Sequence, residues 1–133
     1  MNFIKLIQSK AIADFENSFD LLDQLKAKLA QSFDTLKLIL FISKKNHVPF
    51  IGNPLITLQN HLIELEYALN LHILNCEIYK ELITDGVELD DLFVEQLAGL
   101  LETSEDILAQ YESLKEQLNK TSNYNGTLKI TFA

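Results

Sequence analysis

Residues 55–83 read LITLQNHLIELEYALNLHILNCEIYKELI, and the fold follows from how their apolar residues are spaced. Leu55, Leu58, Leu62, Leu65, Leu69, His72, Cys76, Tyr79 and Ile83 recur at alternating steps of three and four. That is the a/d seam of a heptad repeat carried over four heptads, as in a coiled coil, and it predicts one long helix with a continuous buried stripe. Asn53 is a suitable N-cap for it, Pro54 suits a first helical turn, and Gly86 suits the position just past its end. The predicted helix spans 54–85.

The same spacing runs outward on both sides. Phe93, Leu97, Leu100, Ser104, Ile107, Tyr111, Leu114 and Leu118 predict a helix over 89–120, with Asp90 and Asp91 at its positive N-terminal end. Ile12, Phe15, Phe19, Leu22, Lys26, Leu29, Phe33, Leu36 and Leu40 predict another over 11–43, separated from the second by a loop at 43–53. Residues 2–10 either extend the first helix or fold back as a short fourth element. One apolar stripe per helix needs partners, and short connections favour antiparallel neighbours. The expected fold is therefore all-α: an antiparallel bundle of three long helices of matched length. Residues 1–120 form the single bundle domain and 121–133 a C-terminal turn and tail. Asn125-Gly126 before the alternating Leu128, Ile130 and Phe132 gives that tail a strand-like pattern.

Composition narrows the function. The 133 residues carry a net charge of −8, and every basic residue other than histidine is lysine. Without arginine, and with that negative balance, nucleic acid is not an expected partner. The first 17 residues place Lys5, Lys10 and Asp14 too close together for a signal-peptide core, and LILFI at 38–42 is far short of a membrane span. A single cysteine makes no internal disulfide and fits a reducing, cytoplasmic setting.

The histidines and the cysteine are the candidates for chemistry. His72 and Cys76 lie one turn apart but at seam positions, where a thiol is inert. His61 lies about 16 Å along the axis from His72, so the two cannot share an ion. A zinc site usually wants four ligands, and the Glu-x-x-His pattern of carboxylate-bridged metal bundles is missing, so no metal or other cofactor is expected. Phosphotransfer requires an exposed helical histidine, and His61 is the helical candidate, ringed by acids in HLIELE. Folding the helices back about their loops brings Lys26, His72 and Ser104 to one level. A polar core layer of these three is predicted, serving to fix register or to line a small ligand pocket.

Two surfaces point to partners. Asp91, Glu95, Glu102, Glu105, Glu112 and Glu116 fall at outward heptad positions, an acidic stripe about 30 Å long suited to a basic protein. Leu71, Ile73, Leu74 and Ile78 add apolar side chains outside the seam, a patch that the N-terminal segment or a second subunit could cover. The expectation is a non-enzymatic protein-binding bundle of inhibitor, immunity, adaptor or chaperone type. Its rivals are a ligand-sensing or phosphotransfer bundle using the polar layer or His61, and a structural homo-oligomer such as a homodimer.

Overall fold

Three helices pack pairwise against one another: α1, Phe3–Lys45; α2, Pro49–Thr84; and α3, Asp91–Ser122. The computed structural model describes residues 3–45, 49–122 and 132. The inner stripe of α2 is buried from Leu55 to Cys76, with Leu62 and Leu69 at 0% exposure, and Tyr79 and Ile83 half-buried at its end. Each of these seam residues stands where the heptad spacing places it. Truncating a leucine as enclosed as Leu69 removes its transfer free energy and leaves a cavity, together roughly 3 kcal/mol. The α3 stripe is also as expected: Phe93, Leu97, Ser104, Ile107, Tyr111, Leu114 and Leu118 are buried and Leu100 is half-buried.

The turn between α2 and α3 has a complete set of caps. Gly86 adopts φ +77°. Its N–H donates to the Ile83 carbonyl at 3.2 Å, and the Val87 N–H reaches back to the Leu82 carbonyl at 3.1 Å. These are the paired bonds that satisfy the last carbonyls of a helix closed by a left-handed residue. At the other side, the Asp90 carboxylate accepts from the Phe93 N–H at 2.8 Å and so caps α3. That cap sets the start of α3 one or two residues later than position 89.

The connection from α1 to α2 differs from the expectation. Helix α1 continues to Lys45 and α2 begins at Pro49, so residues 43–45 and 49–53 of the predicted loop are helical. Pro49, not Pro54, takes the first helical position, where a missing N–H costs nothing. Asn53 is then inside the helix rather than capping it, and Pro54 lies within α2 at the loss of one backbone bond. Helix α1 also incorporates the segment from Phe3, so residues 3–10 extend it and do not form a fourth element. At 43 residues it exceeds the 36 of α2 and the 32 of α3, and the helices are not of matched length.

The seam of α1 is corrected at alternate positions. Phe15, Leu22, Leu29 and Leu36 are buried as predicted, but the residues between them are Ser18, Leu25, Ser32 and Ile39. The predicted alternates Phe19, Phe33 and Leu40 are half-buried against the core, and Lys26 is exposed. Both series fit steps of three and four. Centring the helix on Leu25 avoids taking the Lys26 ammonium out of water, and the two serines leave room for close approach. Phe19 forms an edge contact with Phe15, and the Lys80 ammonium of α2 stands 4.7 Å over its ring.

At the far end, Phe132 is buried and its N–H donates to Asn119 Oδ1 at 2.7 Å. The rest of the strand-like tail lies outside the described residues, and Phe132 itself is not in a strand.

Two glycines separate backbone strain from space. A methyl group at either Gly86 or Gly99 meets nothing within 4 Å, but only Gly86 has a positive φ. Gly86→Ala is expected to destabilise the fold by about 1 kcal/mol, and Gly99→Ala, within α3, to stabilise it by roughly 0.5–1 kcal/mol. Urea denaturation of the two variants beside the parent checks both signs.

Candidate functional site

The polar layer forms around His72 and Ser104, without Lys26. His72 Nε2 and Ser104 Oγ are 2.7 Å apart, joining α2 to α3 inside the core, and both residues are buried. The Ser104 hydroxyl donates to the Leu100 carbonyl at 3.1 Å, one turn back on its own helix. With its single proton committed there, Ser104 Oγ accepts from an Nε2–H tautomer of His72. Cys76 Sγ lies 3.5 Å from the same ring nitrogen. Lys26 is exposed while Leu22, Leu25 and Leu29 of α1 are buried; an unpaired ammonium has no counter-charge in this core.

The surroundings keep both groups uncharged. Burial lowers the His72 pKa below its ordinary 6.5, an effect the Leu100 carbonyl partly opposes. Burial, helped by the Glu77 carboxylate, pushes the Cys76 thiol up to about 11. A protonated thiol beside a neutral, enclosed imidazole is not poised as a nucleophile with its base.

A second polar pair was not anticipated. Ser32 Oγ of α1 and Tyr111 Oη of α3 stand 3.1 Å apart, both buried. Ser32 lies in the alternate α1 series, so choosing Phe33 for the seam concealed it. Together the two pairs tie α3 to each of its neighbours by a polar contact.

His61 is exposed on α2 at the edge of a shallow cleft of about 300 Å³, lined also by Glu64, Leu65, Gln110, Ser113 and Leu114. The Glu64 carboxylate lines the same cleft, and its negative charge disfavours a phosphoryl group there. Among the described residues no three of His, Cys, Asp or Glu cluster closely enough to hold a metal ion. No helix among them is long and apolar enough to cross a membrane.

On the outer surface, all six predicted acids of α3 (Asp91, Glu95, Glu102, Glu105, Glu112 and Glu116) are exposed. Only Glu112 is in an ion pair among the described residues, with Lys115 at 2.8 Å. Helix α3 carries seven acids against two lysines, Lys115 and Lys120, both in its last third. Its first two turns and its middle therefore present carboxylates with no cation of their own.

The apolar patch on α2 is differently composed from the expectation and much longer. Ile73 is buried, at 7% exposure, because it turns with Leu62 and Leu69 toward the core. Leu71, Leu74 and Ile78 lie outside the seam as expected and are exposed, so the N-terminal segment does not cover them. They continue a row that begins with Ile56, Ile63 and Tyr67 and ends at Leu82. With the exposed Asn60, the row steps by four, three, four, four, three, four and four, a helical spacing that repeats every eleven residues. It lies on the side of α2 opposite the buried seam, so α2 is apolar on two opposite faces. The heptad seam drew attention to one face; testing the same sequence for a second period would have found the other.

No family model, curated protein or solved structure matches the chain.

The buried imidazole makes stability depend on pH in a defined window. Above about pH 6.5, His72 is neutral in both folded and unfolded chains. Below it, the unfolded chain binds a proton that the core resists, so stability falls as pH drops through that value toward the lowered folded pKa. The steepest slope one proton permits is about 1.4 kcal/mol per pH unit. In denaturation between about pH 7 and 5.5, the parent is expected to lose more stability than His72→Gln, the difference being the contribution of this proton.

Proposed function

We propose that this chain is a non-enzymatic protein-binding bundle whose α3 face engages a basic protein. The observation that carries the reading is the row of six exposed carboxylates along α3, five of them without an ion-pair partner among the described residues. Carboxylates held on a rigid helix keep a fixed spacing, which gives orientation to a partner as well as attraction. Electrostatic steering by such a row accelerates association and weakens as salt rises. An inhibitor, immunity, adaptor or chaperone protein uses a surface of this kind. A non-enzymatic role is further supported by the state of the two groups with the most chemical potential. Cys76 is protonated and enclosed, and His72 is committed to Ser104.

Charge reversal is the test. The triple variant Glu95→Lys, Glu102→Lys and Glu116→Lys changes only exposed positions and is expected to keep the parental helicity. In a pull-down, proteins retained by the parent at low salt should be lost both from the variant and from the parent when salt is raised. Equal retention by parent and variant contradicts the assignment of this face.

A further inference from the structure

The outer face of α2 is a more unusual surface than the acidic row. Seven large apolar side chains stand exposed along it over about 39 Å, including Tyr67 at 71% and Leu74 at 57%. A row that long and one helix wide covers on the order of 400 Å², within the range of the largest patches on monomers, which are often functional. Its shape is one-dimensional. Side chains spaced at helical steps along one face of a helix are matched by another helix lying along them, rather than by a flat surface or a small ligand.

The rim of the row says what kind of helix. Exposed Glu77 and Glu81 flank one side together with half-buried Glu66, and exposed Glu64 flanks the other. The single lysine of α2, Lys80, is turned away over the Phe19 ring of α1 and does not offset them. A second copy of this chain laid along the row would set glutamates against glutamates around an apolar centre. A partner whose apolar stripe is edged by Lys or Arg meets complementary charge on both sides. The eleven-residue spacing also distinguishes this row from the heptad seam on the opposite face. An occupant follows it with little or no left-handed supercoil, and so is not simply a fourth strand of the same coiled bundle.

We propose that the outer face of α2 is the docking groove for an amphipathic helix of a partner protein, apolar along its centre and flanked by basic residues. The proposal rests on the protein-binding reading above but not on the α3 face. Leu71 and Leu74, at the middle of the row, carry the apolar contact. Glu77 and Glu81 set the charge preference.

The test uses the full chain and a fluorescein-labelled synthetic helix of roughly 26 residues, with Leu and Ile at steps of four, three and four and Lys on both flanks. Anisotropy titrations compare it with an isomer carrying Glu at the flanks. The Lys peptide is expected to bind at least about tenfold more tightly than the Glu isomer, and Leu71→Ser with Leu74→Ser to weaken it by about tenfold or more. Binding that ignores the two serine substitutions, or equal affinity for both isomers, overturns the proposal. So does sedimentation showing a dimer that the same substitutions convert to monomer, since the occupant is then a second copy. If the Lys peptide is lost on reversing Glu95, Glu102 and Glu116 but not on changing Leu71 and Leu74, the α3 reading stands and this inference fails. Binding that survives the α3 reversal and is lost with the leucines supports the groove and removes the α3 face from it.

Discussion

Burial of the inner face of α2 against two neighbours at once is the constraint from which the rest of the molecule follows. A single long helix with an apolar stripe cannot keep that stripe dry, and the row from Leu55 to Cys76 is covered only because α1 and α3 close over it together. Two of the polar groups admitted to that space find partners across the helices. His72 does so through Ser104, and Ser32 through Tyr111, so the two polar contacts join α3 to α2 and to α1 at different levels. Their net worth in stability is modest, but their geometry fixes which residues face each other along otherwise uniform leucine rows. Removing His72 from water has a second consequence, a core that resists protonation.

How much of this could be read from sequence differs by helix, for a physical reason. Helices α2 and α3 each have one apolar series at heptad steps, so their seams and the His72–Ser104 pairing were legible from spacing and loop position alone. Helix α1 has two. Phe19, Phe33 and Leu40 outweigh Ser18 and Ser32 in hydrophobicity, yet the centre of the core takes the series with Leu25, and the larger aromatics close the edges. Spacing does not say which of two adjacent rows is central when a helix packs against two neighbours. Lys26 was the warning, since only one of the two series buries a charge. The start of α2 was hidden because Pro49 and Pro54 are both acceptable first-turn residues, and spacing does not choose between them.

The surfaces show the same asymmetry. The acids of α3 were found because outward heptad positions are defined once the seam is known. The outer row of α2 was seen only in part, as Leu71, Leu74 and Ile78, with Ile73 wrongly included. Its eleven-residue spacing is out of step with the seven-residue seam, so a reading in heptads breaks it into unrelated residues. A helix apolar on opposite faces, with one face satisfied inside its own chain, leaves the other as the surface that needs explaining.

Both neighbours depend on α2, and residue-by-residue hydrogen exchange reads that dependence out. Amides of the buried middle of α2, from Leu62 to Cys76, should exchange only through global unfolding and be the slowest in the chain, while the first turns of α1, with Phe3, Leu6 and Ile7 exposed, exchange through local opening. Exchange in the middle of α2 as fast as in the first turns of α1 contradicts a fold organised around that helix.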